Sequence, residues 1–166
     1  MLYKEDWDQS RKRLEAFWNG EIVDRCCIAV TSAARGREDE YWRWKNLPRM
    51  YGWADPEAIV KRSRALFAAS WFGGESFPGI WLNLGPSGHA GFFKGVRYHV
   101  NDDSVWFTPT VGDDYGALQF DSASELFRLT MEMGRYYVQD SRGDYFVSVP
   151  DTAGNLDALA HLRGSE

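Results

Sequence analysis

Five residues carry the chemistry that this chain offers: Asn83, His89, Asp151, Arg35 and Arg37. In parallel α/β sheets and barrels, ligands gather beyond the carboxyl ends of the strands. That rule selects Thr31 and Ser32, then Asn83, then Asp151 and Thr152, each at the end of an apolar run. Asp151 follows "YFVSVP" directly and suits a general base, a metal ligand or a hydrogen-bond acceptor. Its plainer reading is a turn or helix-capping aspartate, because Thr152-Ala153-Gly154-Asn155 leads into a helical pattern. Asn83 interrupts the apolar "GIWLNLG", so its amide needs a partner. It either orients a substrate or ties down the Gly85-Pro86 turn. His89 stands in the glycine-rich "GPSGHAGFF" and suits a proton-transfer role, or it is a surface loop histidine. Arg35 and Arg37 in "AARGREDE" suit an anionic group, or they pair with the neighbouring acids. His99 reads as exposed in a hairpin and His161 as structural. Tyr41, Trp42, Trp44, Tyr51 and Trp53 could line a pocket for a flat ligand, or form a subunit contact.

The elements that must hold these residues follow from periodicity. Lys4 to Asn19 places Trp7, Leu14, Phe17 and Trp18 on one helical face, with Gly20 as a stop. "DRCCIAVTS" predicts a buried strand, with Cys26 and Cys27 as reduced core residues. A short helix is expected near Asp39 to Lys45. A longer one starts at Asp55-Pro56 and ends at Gly73-Gly74. "GIWLNLGPSG" predicts a buried strand, and Gly95 to Val111 a hairpin turning at Asn101-Asp102-Asp103. Ser122 and Glu125 have capping-box spacing before a third long helix. After Gly143, "YFVSVP" predicts a buried strand that feeds the start of a last helix. Strands joined by long helices imply a mainly parallel sheet, and such a sheet is covered on both faces or closed into a barrel.

Bulk properties narrow the function classes. With 44% hydrophobic and 16% aromatic residues the chain has ample material for a core. A net charge of −5 disfavours nucleic acid, which needs a dense basic face. No apolar run approaches the roughly 20 residues of a membrane span. The opening residues carry no apolar signal core, so a cytoplasmic location is expected. There is no CxxC or HxxxH spacing, and no zinc site is expected within the chain.

Four stretches, in order, resemble the N-terminal part of the uroporphyrinogen decarboxylase-like superfamily. They are "NGEIVDRCCIAV" after the first helix, "GVRYHVNDDSVWFTPTVGDD", "LQFDSASELFRLTMEMGRYY" and "SVPDTAGNLDALAHLRG". The family includes the heme-pathway decarboxylases and the cobamide-dependent methyltransferases. The resemblance implies an α/β chain forming the incomplete N-terminal part of a (β/α)8 TIM-type barrel, with an antiparallel hairpin inserted at about 95–111. Residues 1–166 would be one domain, a portion of a larger barrel.

Departures from the family's patterns bear on activity. The decarboxylases' arginine-rich "R-Q-A-G-R" loop is replaced by "TSAARGR". Asn83 stands near the place of their aspartate, and Ala160 near that of a family tyrosine. Porphyrinogen decarboxylation is therefore not expected. The methyltransferase-like or an uncharacterised branch is, with a small-molecule substrate, a zinc-held thiol and a corrinoid protein partner for a full-length product. The family's zinc ligands belong to a later part of the barrel, so this chain alone is expected to be inactive. The reading from another class is a non-catalytic ligand-binding or scaffold domain, completed by homo-oligomerisation.

Overall fold

Trp71 and Phe72 are where the chain first leaves the expected pattern. The computed structural model describes residues 1–112, 114–152 and 154–164. In it, the helix expected to reach Gly73-Gly74 ends at Ala68, and Ser70–Gly74 is a strand. The elements in chain order are α1 (Trp7–Trp18), β1 (Ala29–Ala33), α2 (Glu38–Lys45), α3 (Pro56–Ala68), β2 (Ser70–Gly74), β3 (Gly79–Trp81), β4 (Arg97–Val100), β5 (Val105–Thr108), α4 (Glu125–Ser141), β6 (Phe146–Ser148) and α5 (Asn155–Arg163). Ser70 Oγ donates to Leu66 O at 2.7 Å and closes the end of α3. Trp71 and Phe72 can then stand on opposite sides of an extended strand.

The strands form three two-stranded sheets, β1–β2, β3–β6 and β4–β5, and none closes. The fold is thus mixed α/β. The expectation of a mainly parallel sheet fails at its first strand, because β1 pairs antiparallel with β2, from Ala29↔Gly74 to Ala33↔Ser70.

Two compact units emerge, each built from separated stretches of chain. The first takes Met1–Leu47, Val60–Ile80 and Asp140–Phe146, and the second Pro48–Ile59, Trp81–Gln139 and Val147–Glu166.

In the first unit, polar groups fasten the N-terminus to β2. Lys4 is buried, and its Nζ donates to Phe72 O at 3.0 Å and Gly74 O at 2.6 Å while pairing with Asp6 at 2.8 Å. Ser10 Oγ adds a bond to Gly74 O at 2.9 Å. This seat explains why the face expected of α1 is wrong. Ser10 and Ala16 are its buried residues, whereas Phe17 and Trp18 are 56% and 81% exposed. Small side chains let the helix approach the backbone, which larger ones would prevent. Trp7 does pack inward, edge-on to Phe77 at 5.6 Å and Phe146 at 5.2 Å. Arg64 ties α3 to the third stretch, reaching Asp140 at 2.7 Å and Asp144 at 2.9 Å.

Of the strands expected to be buried, "GIWLNLG" buries Ile80, Leu82 and Leu84, while the other two are not buried. β1 is exposed over Ala29–Ser32, and Cys26 is exposed, with only Cys27 half-buried and bonded to Arg13 O. The backbone of β6 pairs, yet Ser148 is exposed and Phe146 keeps 42% of its surface exposed beside Trp7 and Phe77. Each two-stranded sheet has covering on one side at most, so an apolar run does not bury a strand by itself.

In the second unit, Leu82, Leu84, Val105, Leu126, Met133 and Tyr137 are buried. The hairpin forms as expected, with β4 and β5 in register from Arg97↔Thr108 to Val100↔Val105. Asn101 Oδ1 holds the turn by accepting from the amides of Asp103 and Ser104. The helix cap is a further correction. Ser124 Oγ accepts from the amide of Phe127 at 3.1 Å, so the cap lies at Ser124 and not at Ser122. Glu125 instead bonds Tyr98, whose hydroxyl pKa is pushed up to about 12 by burial and by that carboxylate.

Candidate functional site

Two backbone bonds define the strand end where ligands are expected. The amide of Phe146 donates to Pro78 O at 3.0 Å, and that of Leu82 donates to Ser148 O at 3.4 Å. Partner numbers rise together along β3 and β6, so this pair is parallel. The stretch from β3 through the hairpin and α4 to β6 is therefore a crossover with its two carboxyl ends at the same end of the sheet. Asn83 leaves that end of β3 and Asp151 that end of β6.

Asn83 is committed to the backbone there. Its Oδ1 accepts from the amide of Gly85 at 3.1 Å, and its Nδ2 donates to Met50 Sδ at 3.2 Å. Gly85 has φ +76°, and a Cβ at that position would meet Val105 at 3.0 Å. The turn therefore needs both the glycine and a side chain that holds it. Of the two readings of Asn83, the turn-fixing one has its bonds in place. Asn83→Ala is expected to cost about 1 kcal/mol of stability, read by denaturant unfolding. An unchanged midpoint would show that the turn holds without it.

His89 lies in a 3-10 turn over Gly88–Phe92 and is half-buried. With Phe93, Leu118, Asn155, Ala158, Leu159 and Leu162 it lines a cavity of about 380 Å³. Its Nδ1 is buried and has no hydrogen-bond partner among the described residues. The cavity is thus formed by the loop leaving β3 and the helix that follows β6. Asp151 is half-buried between β6 and α5, and the turn expected through Ala153 falls partly outside the described residues. His161 is half-buried against the ring of Phe107, at 5.3 Å, as its structural reading required.

Arg35 and Arg37 belong to the first unit and His89 to the second. Arg35 is exposed. Arg37 Nε donates to Glu40 at 2.9 Å, and Arg37 also donates to Ala68 O, so its guanidinium is engaged in holding α2. The aromatic run divides likewise. Tyr41 is buried against Trp42, and Arg43 lies over Trp44, in the first unit. Trp53 stacks on Tyr98 in the second, at 6.0 Å.

Sequence reasoning missed the most highly organised charge. Glu75, just past β2, has a side chain 1% exposed. Arg25 grips both its oxygens at 2.7 Å, the amide of Ile28 donates at 2.8 Å, and Arg13 reaches it at 3.3 Å. The Arg25 bonds, with those of Ile28 and Arg13, hold its pKa down to about 2 against the cost of burial. All its lone pairs are taken, so the arrangement is a structural clamp. A visible signal existed: an acid directly after two glycines, with arginines at 13 and 25 able to meet it.

No protein-family model, curated protein or solved structure matches the chain. Among the described residues no three His, Cys, Asp or Glu side chains converge to hold a metal ion. No described helix is long and apolar enough to cross a membrane.

Proposed function

We propose that the chain is the N-terminal portion of a uroporphyrinogen decarboxylase-like barrel enzyme, of the methyltransferase-like or an uncharacterised branch. In this reading it is not a porphyrinogen decarboxylase and has no activity alone. The observation that carries the reading is the parallel β3–α4–β6 crossover. Its carboxyl ends carry Asn83 and Asp151, and its flank leaves apolar side chains uncovered. Val138 is 62% and Val149 73% exposed. They share an open groove with Leu82, Gly134, Val147 and Pro150. Further strands and helices of a barrel would cover such a groove. The substrate is then a small molecule held at the strand ends, and a corrinoid protein is the partner for a one-carbon transfer. Zinc, supplied with its ligands by other parts of the protein, would activate a thiol.

The same uncovered groove supports one other reading, a ligand-binding or scaffold domain completed by a second copy. The size of the natural product separates the two. A species of about 40 kDa, detected through an epitope near Met1, is expected for the barrel enzyme. A species of 19.0 kDa that dimerises would replace that reading with the second. Metal analysis of the larger product should find stoichiometric zinc, and its consistent absence would remove the methyltransferase version.

A further inference from the structure

We infer that the outer edge of β1 is a dimerisation surface, on which the β1 of a second copy adds antiparallel with Thr31 opposite Thr31. The inference concerns the first unit alone and rests on neither reading of the function.

The backbone shows which groups are left to pair. The amide of Glu75 donates to Ile28 O and that of Ala34 to Ala69 O, so the even-numbered residues of this segment turn their backbone groups toward β2. Ala29, Thr31 and Ala33 turn theirs the other way, where no strand pairs with β1 among the described residues. Ala29, Val30, Thr31 and Ser32 are all exposed. The opposite edge of the same sheet is closed. There the outward carbonyls of Phe72 and Gly74 accept from Lys4 Nζ at 3.0 and 2.6 Å, and Ser10 Oγ adds its bond to Gly74 O at 2.9 Å. An inward-pointing lysine is one of the devices by which proteins blunt a sheet edge. β1 has no charge and no proline for that purpose, since Ile28 to Ala34 reads "IAVTSAA". The residues of β1 also select the occupant. Centred on Thr31, "AVTSA" sets Ala29 against Ala33 and Val30 against Ser32 of a second copy, so no like charges are brought opposite each other. Specific capture of a foreign strand draws on side-chain pockets beside the edge, whereas β1 brings only Ala, Val, Thr and Ser to that task. A self-paired edge is isologous, the commonest way in which identical chains close. Ala29, Thr31 and Ala33 would exchange backbone bonds with Ala33, Thr31 and Ala29 of the copy, and two marginal two-stranded sheets would become one of four strands.

Amide hydrogen exchange on the whole wild-type chain, followed residue by residue through a dilution series from millimolar concentration, tests this alongside the mass in solution. We expect a species of twice 19.0 kDa at the concentrated end. On dilution the amides of Ala29, Thr31 and Ala33 should exchange at least tenfold faster, while those of Val30 and Ser32, bonded to β2, stay protected. Thr31→Pro removes one outward amide and should leave a folded monomer. Thr31→Val, which loses only the hydroxyl bond to Ser76, should still dimerise. A chain that stays monomeric at millimolar concentration overturns the proposal. So does a dimer whose three outward amides exchange freely, because it is joined elsewhere. Protection of those amides in the monomer also overturns it, since the edge is then already covered. The wild-type exchange decides even where a variant fails to fold. None of these outcomes depends on the mass or zinc content of the natural product, so a failure here is distinct from a failure of the barrel reading.

Discussion

Glu75→Gln is expected to lower stability by about 3 kcal/mol, the scale of breaking a buried ion pair from one side. For a chain of this size that is a fall of about 9 °C in melting temperature. The change keeps the shape of the side chain but leaves Arg25 without the carboxylate it grips at 2.7 Å on two oxygens. It also replaces an oxygen that accepts from the amide of Ile28 by a group that can present a donor there. The pH dependence has a definite sign. A carboxyl whose pKa is depressed on folding stabilises the protein above its ordinary value of 4.5, and loses that contribution as pH falls toward about 2. The gap between wild type and Glu75→Gln should therefore be full at neutral pH and narrow through that acid window. A gap that stays constant down to pH 2 would mean that the clamp is not the cause.

Gly74→Ala should be as damaging or worse, about 4 kcal/mol, because two independent penalties coincide. Gly74 has φ +60°, and a Cβ there would lie 1.9 Å from Ile28 O. That oxygen is main chain and already accepts the amide of Glu75 at 2.8 Å, so it cannot withdraw without opening β1 from β2. The neighbouring glycine supplies the control. The nearest atoms that a Cβ at Gly73 would meet are all in the ring of Trp71, a side chain 55% exposed that can swing aside. Thermal melts of the two variants should rank Gly73→Ala well above Gly74→Ala. Equal melting temperatures would refute the backbone argument.

Local signals served well where local chemistry decides the outcome. The β4–β5 hairpin was legible because Asn101 folds its own turn, and alternation on either side fixes the strands. The short helix at Glu38–Lys45 and the start of α3 at Pro56 were legible for the same reason. Position within the fold was harder. β2 was hidden because "ALFAASWFGG" continues the helical apolar pattern of α3, and only pairing with β1 makes Ser70–Gly74 extended. The burial of Ser10 and exposure of Trp18 are tertiary facts, set by the approach of α1 to Gly74 O. At the candidate site, the strand-end rule selected Asn83 and Asp151, and His89 through its loop. It could not find the apolar wall, since Leu118, Leu159 and Leu162 come from segments far apart in sequence and look like ordinary core. Asp24 and Arg25, two residues of a stretch that carries the family resemblance, hold Arg13 and Glu75. Their role in this chain is to brace the fold.

The division of the first unit into three stretches also sets a timetable for synthesis on the ribosome. Its third stretch, Asp140–Phe146, follows the second by some sixty residues of chain belonging to the other unit. At about 5–20 residues per second, that gap lasts several seconds. During it Arg64 has neither Asp140 nor Asp144, and Trp7 and Phe77 have no Phe146 to pack against. Until that stretch is made, Arg64 keeps only Tyr3 of its side-chain partners, at 3.2 Å. Slower decoding between residues 81 and 139 would lengthen that interval.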